Sequence, residues 1–403
     1  MEQNETPSPG ATGEANGKKQ FEYSGTATSE AISGEVKIAV EEEGLTLTAP
    51  LDALHIPYAD ITAFESRDYE LRIAAWGETL AISRVGNFLE GLYGDLYNAY
   101  NKKVRKALFI RGEKKFAASG EYSYSEDGRT VKGKAVIEVY EDSVAILPPD
   151  DGGRRIPLCF LNAFNRTDLE VSLGLNTGET YSFTRLGRDL EPFAVCVETC
   201  LRTMRDKSLK AIKELDGTLN PMQQQKIAKL MPEGVAVPMG RLSEISKSFA
   251  EAVEKKVSES RSAEEYRIFK KMCDPMKICV GVKSDLGRKT DNFIWMIAPG
   301  KKQGSAAVEF AVSEEESAAT FLYSSFADWD RFWEKLNQAM EAIDFKRDVI
   351  RMTEEELRDN KNSDQAMAVN RNNALKFIRS RFTARAIHST PESWEKKMLE
   401  HMG

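Results

Sequence analysis

The chain has 403 residues, of which 41% are apolar and 30% charged, and its formal net charge is −7 at pH 7. A chain of this length can bury two or three separate hydrophobic cores, and we expect three domains. An acidic protein is not attracted as a whole to phosphate backbones or anionic lipid, so binding of either requires a local basic patch.

The sequence favours a cytoplasmic protein without a metal site, a disulfide framework or a cofactor. The N-terminus lacks the apolar stretch of a signal peptide, and no apolar run is long enough to cross a bilayer. Five cysteines are an odd number, which indicates reduced thiols. Cys196 and Cys200 stand one helical turn apart, but no histidine lies near them in sequence. We interpret both as buried small hydrophobic residues and not as metal ligands.

Residues 1–19 are predicted to be a disordered tail, because their proline, glycine and polar residues cannot bury enough surface to offset the entropy of ordering. Apolar and polar residues then alternate in short segments, which predicts seven β-strands. The segments are Phe21–Thr26, Glu35–Val40, Leu45–Thr48, Leu54–Pro57, Ile61–Ser66, Tyr69–Ala75 and Glu78–Ser83. An amphipathic helix is predicted next, from the helical spacing of Leu89, Leu92, Leu96 and Tyr100.

The same order returns in the next part of the chain. The stretch Ile56–Phe64 reappears as Ile156–Phe164, with Ile-Pro and Ala-Phe kept at the same places. Other matched landmarks stand between 99 and 101 residues apart, so the offset changes by single residues at turns. Insertions are tolerated in loops and not in paired strands, so this drift is typical of a duplicated β domain.

The duplicated pattern resembles the pleckstrin-homology-like (PH-like) family. The resemblance is carried by an Ile-Pro-x-x-x-Ile/Leu-x-x-Phe strand pair, a following Leu-x-Ile/Leu strand and a Gly-Glu-Thr hairpin, and it covers residues 20–105 and 117–206. It implies an α+β protein with two PH-like domains, each a seven-stranded antiparallel barrel or sandwich closed by a C-terminal helix. A hydrophobic pattern of this kind indicates a fold and not an activity.

The remainder of the chain is predicted to contain more helix. Residues 207–272 are predicted to form a helical connector, and residues 273–345 an α+β domain with four strands and a helix. A degenerate third PH-like copy is the alternative for that domain. Residues 346–403 are predicted to be a helical tail.

Candidate catalytic groups are isolated in the sequence, which favours a protein that is not an enzyme. His55 has no acid or base beside it, and Arg155 takes its place in the second copy. Arg84 and Arg185 precede the helix of each copy. We predict that they form ion pairs with Glu90 and Glu191, in preference to binding a ligand.

Basic residues are concentrated in two places. The resemblance implies that a PH-like domain that binds phosphoinositides does so through basic residues in its first strand pair. The first copy has none in residues 26–35, whereas the second has Arg129, Lys132 and Lys134. The tail segment 365–391 has basic residues and no acid at all. Its basic residues are Arg371, Lys376, Arg379, Arg381 and Arg385.

The tail segment is predicted to be a basic amphipathic helix, because Leu375, Ile378 and Phe382 fall on one helical face. We favour its docking on an acidic face of this protein or of a partner. An arm for nucleic acid and a peripheral membrane element are the alternatives.

Taken together, the sequence favours a non-enzymatic protein-binding or scaffold protein whose tandem PH-like domains bind a protein partner. Peripheral binding to anionic membrane or nucleic acid through the basic tail is the alternative. An enzyme of unrecognised type is a second alternative.

Overall fold

The computed structural model describes residues 21–126, 128–283, 293–311 and 319–403, and the predicted disordered tail lies outside them. The chain is a mixed α+β protein with two seven-stranded antiparallel sheets, a helical region, a third sheet and C-terminal helices. The predicted fold class is confirmed.

The first sheet and the helix after it form what we call the first domain. Its strands are β1 (Phe21–Thr28), β2 (Ser33–Val40), β3 (Gly44–Thr48), β4 (Ala53–Pro57), β5 (Ile61–Arg67), β6 (Glu70–Ala75) and β7 (Glu78–Ser83), followed by α1 (Leu89–Ala107). The order across the sheet is β4-β3-β2-β1-β7-β6-β5, so β1 is central and β5 lies at one edge.

The second domain repeats this architecture. Its strands are β8 (Phe116–Glu126), β9 (Arg129–Val139), β10 (Ser143–Leu147), β11 (Arg154–Pro157), β12 (Leu161–Arg166), β13 (Glu170–Leu175) and β14 (Thr180–Thr184), followed by α2 (Leu190–Leu215). The sheet order is β11-β10-β9-β8-β14-β13-β12, which is the order of the first sheet. Two such sheets, each followed by a helix, agree with the architecture that the PH-like resemblance implies.

The sequence pattern explains why these elements form. On β2, Val36, Ile38 and Val40 alternate with more exposed residues and are buried in the first core. Leu92, Leu96 and Tyr100 are fully buried on one face of α1, as helical spacing predicts. Among the described helices, none is both long and apolar enough to cross a membrane.

The connector contains four separate helices and a short strand. They are α3 (Pro221–Leu230), β15 (Val237–Pro238), α4 (Met239–Ile245), α5 (Lys247–Ser258) and α6 (Ala263–Met272). Asn220 begins α3 in a capping box with Gln223. Ser246 caps α5 with its side chain and separates it from α4.

The third sheet has six strands. The remaining elements are β16 (Cys279–Lys283), β17 (Phe293–Pro299), β18 (Ala306–Ala311), β19 (Ala319–Tyr323), α7 (Trp329–Ala342), α8 (Asp348–Arg351), α9 (Glu354–Arg358), α10 (Ser363–Arg371), α11 (Asn373–Arg379), β20 (Phe382–Ile387) and α12 (Pro391–Met402). The four predicted strands are present, but the connector supplies one edge strand, β15, and the tail supplies the other, β20. The strands lie in chain order and not in the order of the first two sheets, so this region is not a third copy.

The prediction of one basic amphipathic helix in the tail is wrong. Two short helices, α10 and α11, meet at Asn372, and Phe382–Ile387 is a strand of the third sheet. Asn372 takes an extended conformation and caps α11 with its side chain, which ends the first helix. Tertiary pairing with β19 then overrides the helical spacing of the following residues.

A hydrogen bond from Arg155 to the backbone carbonyl of Glu341 joins the second domain to α7, and each of these two residues also takes part in an ion pair. Arg155 lies 2.8 Å from the Asp142 carboxylate, and it donates to the Glu341 carbonyl at 2.5 Å. The Glu341 carboxylate in turn accepts from Lys283 Nζ at 2.9 Å. Breaking one partner of such a buried network leaves an unpaired charge, so these contacts hold the third sheet and the second domain in one arrangement.

Candidate docking grooves

Helix α1 packs against the second domain through a tyrosine outside its predicted apolar stripe. The Tyr97 hydroxyl accepts from the Val136 N–H at 3.2 Å and donates to the Leu147 carbonyl. Val136 on β9 and Leu147 on β10 are register partners, so Tyr97 contacts the end of that strand pair. Burial raises the pKa of Tyr97 to about 12, which keeps the hydroxyl protonated and able to donate at neutral pH.

The loop after β10 covers the edge strand of the first sheet. The Phe64 N–H donates to the Pro149 carbonyl at 2.9 Å, and the Asp151 N–H donates to the Thr62 carbonyl at 2.9 Å. An open sheet edge presents unpaired backbone groups to other chains. The second domain therefore satisfies part of an edge that the first domain leaves open.

A buried charged cluster fixes the same contact. Glu138 on β9 is 1% exposed and accepts two hydrogen bonds from Arg105 of α1, at 2.8 and 2.9 Å. Tyr140 donates to it at 2.7 Å and Lys114 at 3.2 Å. Burial alone would raise the pKa of Glu138, but the hydrogen bonds from Arg105 and Tyr140 and the Arg105 charge lower it to about 2.

A groove of about 510 Å³ lies between α1 and the second sheet, and we call it the seam groove. The helix lines one wall with Tyr93, Gly94, Tyr97 and Asn98. The second domain lines the other with Ser119, Gly120, Glu121, Lys134, Ala135, Val136, Pro149 and Arg185. One wall of this groove is thus a helix of the first domain, seated on the sheet of the second.

The first domain has a groove of about 660 Å³ on its equivalent strands, and we call it the open groove. It is lined by Ser24, Gly25, Thr26, Glu35, Val36, Lys37, Thr48, Ala49, Pro50 and Arg84. Most of these residues have a counterpart that lines the seam groove at the same place in the second copy. The counterpart stands 95 positions later for residues 24–26, 99 positions later for residues 35–37 and Pro50, and 101 positions later for Arg84. All ten lining residues belong to strands and loops of the first domain, so here the helical wall is missing.

A glycine forms the floor of each groove. A Cβ on Gly25 would lie 2.8 Å from the Ser83 carbonyl oxygen, and a Cβ on Gly120 would lie 2.8 Å from that of Thr184. A side chain at either position would force the neighbouring strand apart. The duplication therefore preserves the backbone of the groove, while the residues on its walls differ.

The two arginines before the helices illustrate this difference. Arg185 lies 3.1 Å from Glu121 across the second sheet, and not against Glu191 as predicted. Glu191 instead pairs with Arg166. In the first domain Thr26 follows the groove glycine where the second domain has Glu121, and no ion pair joins Arg84 to another of the described residues. The left-handed backbone at both arginines turns the chain before each helix, and Arg84 lines the open groove.

The predicted basic residues of the second domain are not gathered into one site. Arg129, Lys132 and Lys134 are all exposed on β9. Lys132 and Lys134 share the outer face because side chains alternate along a strand, and Arg129 lies at the hairpin end. Of the three, Lys134 lines the seam groove.

Arg371 of the tail is buried between the two β domains. It donates to the Tyr100 hydroxyl at 2.6 Å and to the Asp150 carbonyl at 3.4 Å. Tyr100 donates to that same carbonyl at 2.9 Å. Arg371 is therefore held within the protein by a hydroxyl and a backbone carbonyl, and not by an acidic side chain.

The other four basic residues of the tail point in different directions. Arg379 donates to the Val349 carbonyl and pairs with Glu354 at 2.9 Å. Arg381 stacks over the Phe377 ring at 5.1 Å, while Lys376 and Arg385 are exposed. The structure therefore does not bring the five predicted residues onto one basic face.

One buried cluster has the connectivity of a hydrolase triad. His388 Nε2 lies 2.9 Å from Thr320 Oγ1 and 3.1 Å from Glu309, and its Nδ1 lies 3.4 Å from Glu265. Thr320, however, is fully buried and accepts from Trp394 Nε1 at 2.7 Å. A nucleophile must reach its substrate, so this geometry supports a structural role.

The described part of the chain contains no group of three or more His, Cys, Asp or Glu residues placed to hold a metal ion. All five cysteines are free thiols. Burial raises the pKa of Cys196 and of Cys200, as is usual for thiols that pack as small hydrophobic groups.

Comparison with known proteins identifies no family for this chain. No protein-family model matches it, and no curated protein matches it. Solved structures similar to it include one titled "Structure of the Spt16D Pob3N heterodimer", at 16% identity. That match covers 40% of this chain and 86% of the other, with a TM-score of 0.16. The fold assignment therefore rests on the strand order described above.

Sequence reasoning missed the residues that form the helical wall. Tyr93 and Tyr97 lie off the apolar stripe of α1, so the periodicity of the helix does not identify them. A signal was present in the comparison of the copies, because α2 has Ala194 and Glu198 at these positions. Two tyrosines one turn apart on the polar side of only one helix indicate a contact that only that helix makes.

Proposed function

We propose that this protein is a non-enzymatic scaffold that binds another protein through its β domains. One observation carries the proposal: the face built from β8, β9 and the loop after β10 already binds a helix of the same chain, through Tyr97. The equivalent face of the first domain is open and carries its own groove. A surface that receives protein in one copy is well suited to receive protein in the other.

The structure offers less support for binding lipid or nucleic acid through the tail. Arg371 and Arg379 are engaged in contacts within the protein. The positive charges that remain exposed are spread over a helix and a strand, whereas recognition of phosphate depends on a local cluster of cations.

The proposal is tested with a photo-crosslinking amino acid placed at Lys37 in the open groove of the full chain. Lys132, an exposed lysine on the outer face of the second sheet, is the matched control position. We expect crosslinks to one protein from position 37 and none to that protein from position 132. Equal crosslinking from both positions, or none from position 37, would contradict the proposal.

A second arm tests the alternative partners. Because β20 belongs to the third sheet, deleting residues 365–391 would damage the fold, so Lys376, Arg381 and Arg385 are replaced together by glutamine in the full chain. We expect the wild-type protein and this variant to show equally little binding to anionic vesicles and to RNA at low salt. Binding by the wild type that the variant loses would favour the tail as the functional surface.

A further inference from the structure

The contact between the two β domains is made from two different surfaces. The first domain contributes a helix face, on α1, and the sheet edge at β5. The second contributes the groove face, which includes the loop after β10. Because the domains share one fold, the chain carries each surface twice. The open groove and the helix face of α2 with the edge strand β12 are the second pair.

We propose that a second copy of this chain docks the N-terminal half of its α2 into the open groove of the first domain. The inference rests on the proposed function, since it names the protein that the open groove binds. On α2, Val195 and Glu198 stand where α1 has Gly94 and Tyr97, two of the four helix residues that line the seam groove. Val195 is 46% exposed, and Glu198 is exposed.

Charge complementarity supports this pairing. In the seam, Tyr97 of α1 meets the backbone of Val136. The counterparts of these two residues are Glu198 on α2 and Lys37 in the open groove. A carboxylate would thus approach a lysine, with the positive charge of Arg84 lining the same groove. The residue that replaces Tyr97 on α2 is therefore negative, and the residue that replaces Val136 in the open groove is positive, so the two are complementary in charge.

The rim of the groove supports it with an apolar pair. Leu51 is entirely exposed, beside Pro50 of the open groove. It follows this proline as Asp150 follows Pro149 in the seam, where the Asp150 carbonyl accepts from Tyr100. The counterpart of Tyr100 on α2 is Leu201. Where Tyr100 contacts Asp150 within the chain, Leu201 of one molecule would contact Leu51 of another. This contact would remove the exposed Leu51 side chain from water.

Strand β12 supplies the remaining surface. It is the edge of the second sheet, as β5 is of the first, and Asn162 and Ala163 on it are exposed. An uncovered edge strand is a site for another chain, and here it lies beside the helix face that would dock.

The buried charged cluster of Glu138 and Arg105 has no equivalent in the proposed contact between two molecules. Ala39 stands at the position of Glu138, and Asp206 stands at the position of Arg105. We therefore expect reversible association, weaker than the contact within the chain. The two surfaces are different, so the contact is head-to-tail, and each added copy exposes a new groove.

Sedimentation velocity on the full-length protein tests the proposal. Over about a hundredfold range of concentration, we expect the mean mass of the wild type to rise from that of a monomer past that of a dimer. Leu51→Glu blocks the groove and Val195→Glu blocks the helix face, and each variant should stay monomeric over the same range. The matched control is Met222→Glu on α3, an exposed apolar residue outside both surfaces, which should assemble like the wild type.

Mixing the two blocked variants separates a head-to-tail contact from a symmetric one. Leu51→Glu retains an intact helix face and Val195→Glu retains an intact groove, so the mixture should form a dimer and nothing larger. All variants change exposed side chains, and circular dichroism checks that each is folded.

Two outcomes would overturn the proposal: a wild type that stays monomeric throughout, or a mixture of the blocked variants that stays monomeric while the wild type assembles. Failure here is distinguishable from failure of the proposed function. A monomeric wild type that crosslinks another protein from position 37 removes the second copy as partner and leaves the scaffold role in place.

Discussion

Replacing Glu138 by glutamine should destabilise the protein more than any comparable surface change. The carboxylate is buried and accepts hydrogen bonds from Arg105, Lys114 and Tyr140. Glutamine keeps the size of the side chain but removes its charge, leaving the Arg105 guanidinium without its counter-ion. Breaking a buried pair by removing one partner costs about 3 to 5 kcal/mol, and the partial exposure of Arg105 places the expected cost near the lower figure.

The acid–base behaviour of Glu138 gives an independent value. Its pKa is lowered from 4.5 to about 2, and at 1.36 kcal/mol per unit this corresponds to roughly 3 kcal/mol of stability at neutral pH. Because the folded pKa is the lower one, this stabilisation is present above about pH 4.5 and is lost as the pH falls toward 2. The difference between wild type and variant should therefore shrink by roughly 1 kcal/mol between pH 5.5 and pH 3.5.

Urea unfolding of wild type and Glu138→Gln at both pH values measures these quantities. The matched control is Glu121→Gln in the same domain, whose partner Arg185 is 3.1 Å away but mostly exposed. That change should cost no more than about 0.5 kcal/mol. If Glu138→Gln proves as mild as the control, or if its cost does not depend on pH, then the cluster does not hold the two domains together and the reasoning is refuted.

Two further predictions concern the C-terminal part of the chain. Burial opposes the charged form of His388, but the hydrogen bond and charge of Glu309 outweigh it and raise the pKa of His388 above 6.5. Its stabilisation is thus present below about pH 6.5 and lost as the pH rises through the folded value. The melting temperature should fall between pH 6 and pH 9 in the wild type and less in His388→Gln. A variant with an unchanged slope would contradict this. Arg371→Met should cost about 2 to 3 kcal/mol in urea unfolding, because the buried Tyr100 hydroxyl loses its donor. Lys376→Met, an exposed control, should cost less than about 0.5 kcal/mol, and equal effects would refute the role of Arg371.

Much of the fold followed from local pattern. Alternation such as that of Val36, Ile38 and Val40 predicted the strands, because one buried face imposes a period of two. The repeat of Ile56–Phe64 predicted two similar domains, and both sheets have the same strand order. Residues 365–391 were misassigned because pairing with β19 makes Phe382–Ile387 a strand despite its helical spacing.

The sequence by itself determined the class of the fold, the duplication and the positions at which the two copies differ. These depend on periodicity and on short-range signals that each segment carries alone. Only the tertiary structure decided which surfaces are used, because burial of Arg371 and seating of Tyr97 depend on residues far away in sequence. It also showed that Tyr97 and Val136, whose counterparts in the other copy are Glu198 and Lys37, meet where the two domains contact each other, a relation that appears only when one domain is seen docked on the other.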